Sequence, residues 1–347
     1  MNSKVWIRTV RVVSAMSVLA WLSACAVATT APPPPNDPVT LRVNVFRGAS
    51  NIPIYMAVER GAFARRGITP VLQFTPNSDM QRDGLAAGRF EIAVAAVDNA
   101  VAMIEVAKKD VVIVAGGDGG MNELMVRPEF KQVSDLRNKN FIVDATNTAY
   151  ALIGRKILKN AGLVDGKDYT MNPLGGTETR TKSLETPEGH SAMLNPPWSF
   201  VAKDRGAQSL GSTMDLFGLY QSSGVFVMRP WAEANAGTLQ RFLSAYIEGC
   251  RATQDPANRE QVIQTLQTNL KLERRVAEQT YGALTTTGHG LFKDCAIEMT
   301  GMRNMLSLRA EIEGQWGGVA PAPDKFLDLR YYERALPYVD RSLDHSQ

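Results

Sequence analysis

Histidine is scarce in this chain, three residues among 347. None stands in a pattern that moves protons or holds a metal. His190 follows Gly189 in a turn-like stretch, His289 lies between two glycines and His345 is in the tail; surface positions account for all three. Cysteine is equally scarce, with three residues and no C-x-x-C spacing for zinc or redox chemistry. The G-x-S-x-G elbow, H-E-x-x-H and the Walker A loop are missing. The run Gly116-Gly117-Asp118-Gly119-Gly120 lacks the lysine of a phosphate loop. Carboxylates are scattered, and Asp144 reads as a loop or cap residue. These absences remove the usual signatures of hydrolytic, metal-dependent and nucleotide-dependent catalysis. An excess of one charge sign is missing too. Lys4, Arg8 and Arg11, in a leader without acids, account for the whole formal charge of +3. The rest of the chain is neutral and offers no electrostatic case for nucleic acid.

Long apolar runs are also lacking. Residues 12–22 are mostly apolar, short of the about 20 residues a membrane-spanning helix needs. After the basic stretch they read as the core of an export signal. Leu22-Ser23-Ala24-Cys25 follows and resembles the bacterial lipoprotein box, in which the cysteine becomes the lipidated first residue. The alternative is an ordinary signal cut after a small residue such as Ala28. Ala31-Pro32-Pro33-Pro34-Pro35-Asn36-Asp37-Pro38 is then a stiff, extended tether. With Cys25 assigned to lipid, Cys250 and Cys295 form an even pair in an oxidising compartment. They are either a disulfide or two buried thiols.

What the chain does have is regular alternation. A hydrophobic content of 44% and a charged content of 21% suit a globular protein, and the length allows about two domains. Strand-like segments at 41–46, 71–74, 91–96 and 111–115 alternate with helical ones at 51–66, 78–88 and 98–108. The apolar run Val111-Val112-Ile113-Val114-Ala115 fits a strand buried on both faces. A second block of the same kind starts near 133, with strands at 141–144, 169–171, 192–194 and 224–228. Its helices fall at 148–161, 177–186 and 197–205, and from 231 onward the chain is helical. Such alternation specifies an α/β layered fold. Two blocks with a helical return predict two lobes, each a β-sheet flanked by helices, with a ligand cleft between them.

Ligands on open α/β sheets bind beyond the carboxyl ends of strands. The candidate residues therefore lie at strand-to-helix junctions. They are Ser50 and Asn51; Val97, Asp98 and Asn99; Thr146, Asn147 and Thr148; Gly176 and Thr177; and Asn195 with Trp198. The glycine run 116–120 is a further junction. Each alone reads as a cap or a turn. Their repetition across both blocks suits a ligand held by backbone N–H groups, hydroxyls and amides. Arg47 and Arg180 can each supply a charge, and Tyr55, Tyr150 and Trp198 can cover an aromatic ring. Met299, Met302 and Met305 recur at helical spacing and read as core.

The segment Pro53-Ile54-Tyr55-Met56-Ala57-Val58-Glu59-Arg60-Gly61-Ala62-Phe63, followed by Gly67, resembles a signature of ABC-transporter solute-binding proteins of the nitrate/sulfonate/taurine type. These share a fold with thiamine pyrimidine-precursor synthases. Leu85-Ala86-Ala87-Gly88-Arg89-Phe90-Glu91-Ile92-Ala93-Val94, Ser134-Asp135-Leu136-Arg137-Asn138-Lys139 and Asn195-Pro196-Pro197 resemble further motifs of that family, in order. Glu91 stands where its Asp is usual. The resemblance covers about 41–270.

It implies a two-lobed periplasmic-binding-protein-like fold of type II. Residues 1–24 would be the signal peptide, 25–39 the lipidated cysteine and tether, 40–127 the first part of lobe I, 128–222 lobe II, and 223–347 the return to lobe I. It further implies a monomeric binding protein without cofactor, metal or catalysis. That protein would be held in the periplasm by lipid on Cys25, at an inner or outer membrane, and would serve ABC permease and ATPase subunits. The expected solute is a small anion of the sulfonate, carboxylate or nitrate class, or an aromatic acid. The alternatives are an exported enzyme or pyrimidine-precursor-type protein on the same fold, or a ligand-sensing lipoprotein. The synthases use a site histidine and a cysteine-rich segment, and neither is present here.

Overall fold

The computed structural model describes residues 38–344. The leader, Cys25, all but the last residue of the proline tether and His345 lie outside the described residues. Ten strands follow in chain order. They are β1 (Val39–Val45), β2 (Ile68–Phe74), β3 (Ile92–Ala96), β4 (Val111–Gly116), β5 (Glu123–Val126), β6 (Lys139–Val143), β7 (Tyr169–Pro173), β8 (Ser191–Leu194), β9 (Gln208–Ser212) and β10 (Ser223–Met228).

The strands form two five-stranded sheets, ordered β2-β1-β3-β10-β4 and β7-β6-β8-β5-β9. In the first, β1 runs parallel to β2 and β3, and β10 lies antiparallel between β3 and β4. In the second, β6 runs parallel to β7 and β8, and β5 lies antiparallel between β8 and β9. The two lobes therefore share one plan. In each, the antiparallel strand is the one that has just crossed from the other lobe. The first crossing falls between Gly116 and Glu123, so β5 belongs to the second lobe and the expected division at 127 moves back. Four residues, three of them buried, carry too little periodicity to be read as a strand. The second crossing precedes Ser223.

Local sequence explains most helices, with instructive departures. The expected helix over 51–66 is broken into Ile52–Glu59 and Ala62–Arg65. Gly61 separates them at φ 70°, a left-handed conformation that glycine adopts without steric cost. Strand β9 and the short helix Thr213–Phe217 have no clear period and were not expected. Helix Ala236–Gln254 buries Leu239, Phe242, Leu243, Tyr246, Ile247 and Cys250 at the three- and four-residue spacing of a core-facing stripe. Each such fully buried side chain contributes roughly 1.5–3 kcal/mol. This helix packs on Ile52–Glu59 beneath the first sheet.

Helix Met299–Glu313 does not stay with the first lobe, as the expected return over 223–347 had it. It packs on helix Ala149–Asn160 of the second, and Glu311 pairs there with Lys156 at 2.7 Å and Lys159 at 2.9 Å. Its Met302 and Met305 enter a core shared by Val101 and Phe226 of the first lobe and Leu152 and Ile153 of the second. Cys250 and Cys295 are joined by a disulfide with Cα atoms 6.0 Å apart, inside the ordinary range. No helix among the described residues is long and apolar enough to cross a membrane.

Candidate functional site

The carboxyl ends of strands from both sheets face one cleft, which contains a cavity of ≈ 30 Å³. From the first lobe, the turn after β1 brings Phe46, Arg47, Gly48 and Ser50, and the start of the helix after β3 brings Asn99. Ser78 arrives after β2, Asp118 after β4, and Ser222 and Ser223 at the head of β10. From the second lobe come Asp144 and Thr148 after β6, Gly176 and Thr177 after β7, and Asn195 after β8; Tyr150 and Arg180 add side chains from the helices that follow.

Of the residues expected from sequence, Ser50, Asn99, Thr148, Gly176, Thr177 and Asn195 line this cavity. The others sit elsewhere. Asn51 is fully buried and its amide donates to the Phe46 carbonyl, shaping the turn. Val97 is core. Asp98 is buried in a bidentate pair with Arg309, at 2.8 and 2.7 Å. Thr146 is exposed. The Asn147 side chain accepts from Arg82 at 3.0 Å. Trp198 donates from Nε1 to the Arg47 carbonyl across the cleft, at 2.8 Å. Nearby, Gly176 N–H donates to the Pro76 carbonyl at 2.7 Å, so backbone groups of both lobes meet at the cleft rim.

The two carboxylates at the centre of the site were not expected. Asp144, 4% exposed, accepts at Oδ2 from Ser78 Oγ at 2.6 Å and Ser78 N at 3.2 Å. Burial pushes its pKa up, opposed by Arg180, Ser78 and Arg82. Asp118, 5% exposed, accepts from Gly120 N at 3.1 Å and from the Ser223 hydroxyl. Burial raises its pKa as well. The glycine loop holds Asp118 against β10, and a Cβ on Gly117 would stand 2.4 Å from Ser223 Oγ, so only glycine fits there.

Arg180 is fully buried. It donates to the carbonyls of Gly175 at 2.6 Å and Met193 at 3.2 Å and to Thr177 Oγ1 at 3.0 Å. Burial lowers its pKa, opposed by Asp144, and its guanidinium lies 4.9 Å from the Tyr150 ring centre. Burial likewise holds the Tyr150 phenol protonated above its usual range. Asp144 follows β6 directly and Asp118 stands two residues beyond β4, which was the available signal. Arg180, named from sequence as a possible charge, sits inside the short helix Thr177–Ser183.

Glu91 is structural, accepting from Arg42 N at 2.7 Å and Nε at 3.0 Å. His190 accepts from Asn140 N at 3.2 Å. Among the described residues no group of three or more His, Cys, Asp or Glu is placed to hold a metal ion.

Two lobes of one plan, linked by two crossings and enclosing a polar cleft at the strand ends, define a periplasmic-binding-protein-like α/β fold. Residues 34–267 match the family model described as the NMT1-like family, and the chain belongs to that family. No curated protein sequence matches it. Solved structures do. The periplasmic nitrate-binding protein NrtA from Synechocystis PCC 6803 superposes with a TM-score of 0.72 at 15% identity, over 88% of this chain and 90% of its own. The ligand-binding component of an ABC-type import system from Staphylococcus aureus, with zinc bound, gives 0.71 at 16%, over 85% and 98%. The alkanesulfonate-binding protein SsuA from Xanthomonas axonopodis pv. citri, bound to MOPS, gives 0.68 at 16%, over 83% and 96%. At these identities the likeness establishes the fold.

Proposed function

We propose that this protein is the extracytoplasmic solute-binding component of an ABC importer. It captures a small polar solute between its lobes and delivers it to a membrane permease, held near that membrane by lipid on Cys25. The observation that carries this reading is the cleft itself. Side chains from both sheets converge on it, and cross-lobe hydrogen bonds join its rim at Trp198 and Arg47 and at Gly176 and Pro76. Its structural neighbours, a nitrate-binding and an alkanesulfonate-binding protein, support the same role. The cavity's ≈ 30 Å³ has room for about two waters. An organic solute therefore enters with the lobes further apart and is enclosed as they meet.

The test is a thermal-shift screen of the full chain against a broad set of small metabolites, followed by calorimetry. At least one solute is expected to bind and stabilise the protein. A flat response across the set would sink the reading. The two buried carboxylates support a second reading, an enzyme on this fold, because perturbed acids in a cleft suit proton transfer. Incubating the protein with whatever it binds, with products followed by mass spectrometry, separates the two. Turnover replaces the binding reading, and unchanged solute retains it.

A further inference from the structure

The disulfide between Cys250 and Cys295 is fully buried, and neither cysteine is among the residues that line the cleft cavity. It ties helix Ala236–Gln254 to the turn Lys293–Cys295. In that turn Asp294 and Cys295 both take left-handed backbone, at φ 57° and 51°. Residues with side chains adopt that conformation seldom, and keep it only where their surroundings hold them. Here the disulfide holds the turn, together with Arg251 Nε on the Asp294 carboxylate at 2.6 Å and the Tyr332 hydroxyl on the Asp294 carbonyl at 3.1 Å.

The chain on either side of the turn lies along both crossings. Before it, Phe292 N–H donates to the Gly117 carbonyl at 2.9 Å, Gly119 N–H donates to the Gly290 carbonyl at 3.0 Å, and Leu291 bridges Asp118. After it, Glu298 N–H donates to Gln221 Oε1 at 2.7 Å, and Gln221 Nε2 donates to the Ser223 carbonyl at 2.7 Å. The fit leaves no room for side chains. A Cβ on Gly116 would stand 2.0 Å from the Ala296 carbonyl oxygen, and one on Gly301 would stand 2.5 Å from the Gln221 backbone nitrogen. The crossings also meet each other, where Ser222 N–H donates to the Asp118 carbonyl at 3.0 Å. Asp118, Ser222 and Ser223 are cavity wall.

We propose that the disulfide is a positioning element of the cleft. Through residues 290–298 it fixes the first-lobe ends of both crossings, and with them the Asp118 carboxylate in the cavity wall. When two lobes part, a few residues of the connecting chain absorb the backbone rotation. The braced residues are kept out of that motion, which falls to the chain beyond them. This rests on the solute-binding reading for what the wall meets.

The test is hydrogen exchange of the full chain without solute, so a flat metabolite screen does not decide it. In the wild-type protein the amides of Asp118, Gly119, Gly120, Phe292 and Glu298 should open as one slow unit. Replacing both cysteines, Cys250→Ala with Cys295→Ala, should speed exchange of that set by about tenfold or more relative to the rest of both sheets. Gly116→Ala, which displaces Ala296 and keeps the disulfide, should speed the same set. Ile142→Ala, which weakens a separate core cluster in the second lobe, should not single it out. Should the cysteine-free chain fail to fold, wild type and Gly116→Ala decide. A wild-type set that opens in separate steps overturns the inference and leaves the binding reading standing. So does acceleration that spares the set in either variant, that spreads evenly over the protein, or that Ile142→Ala reproduces there. Acceleration confined to the set, with a flat metabolite screen, supports the positioning role and overturns the binding reading alone.

Discussion

Ser78 and Asp144, 66 residues apart in sequence, meet across the cleft at 2.6 Å. Ser78 opens the helix after β2 in the first lobe, and Asp144 directly follows β6 in the second. Asn99 donates to the same Ser78 hydroxyl at 3.1 Å, so one buried hydroxyl links a residue from each lobe. Ser78→Ala leaves Asp144 with one backbone donor. It should destabilise the protein by about 1–3 kcal/mol, read as a lower urea midpoint at unchanged m-value. An unchanged midpoint would show that the contact is not kept in solution.

The rim bond from Trp198 to the Arg47 carbonyl can be removed without removing the ring. Trp198→Phe should weaken binding of any captured solute about two- to tenfold through loss of one hydrogen bond in the closed form. Its melting temperature without solute should hardly change. Calorimetry checks the first statement and a thermal melt the second. Undiminished affinity would place the bond outside the closure.

The buried pair of Asp98 and Arg309 fastens the first lobe to helix Met299–Glu313, and the same guanidinium donates to the Asn147 carbonyl of the second lobe at 3.0 Å. Arg309→Met leaves a buried carboxylate alone and should cost about 3–5 kcal/mol. Adding Asp98→Leu should restore much of that, because the pair's worth lies in not being broken. Chemical denaturation of the single and double variants checks both. A double variant no better than the single would contradict this account.

The pH dependence of ligand-free protein follows from the raised pKa values of Asp118 and Asp144. A carboxyl whose folded pKa exceeds its unfolded value gives stability below the unfolded value, about 3.9. That stability is lost as pH rises through the folded value. Arg180 and Arg82 oppose the shift of Asp144, and Ser223 and the Gly120 N–H oppose that of Asp118. The melting temperature of Asp144→Asn minus that of wild type should therefore increase from about pH 4 to about pH 8. A constant difference would mean that burial does not govern Asp144.

Local pattern carried the architecture. Alternating periods exposed eight of the ten strands, and only β5 and β9 escaped, one too short and one too polar to show a period. The junctions were legible because caps, glycines and prolines mark where strands give way to helices. The chemistry of the site was less legible. Asp144 looked like a cap, since its sequence neighbours are polar, and Arg180 was one of two arginines able to supply a charge, with nothing local to show that it is buried. Asp98, chosen as a ligand contact, turned out to be spoken for by Arg309, 211 residues later.

The sequence by itself determined the order of elements, the two-block plan and the loops that end at a cleft, because periodicity and turn chemistry act over a few residues. Tertiary structure decided which of those loop residues face the cavity and what charge the cavity holds. Burial is set by what packs against a side chain. For Asp144 that is Ser78 from the opposite lobe, and for Arg180 the carbonyls of Gly175 and Met193. The first partner is met only when the two crossings bring both sheets together, and the second pair only when the second sheet sets β8 beside the turn after β7.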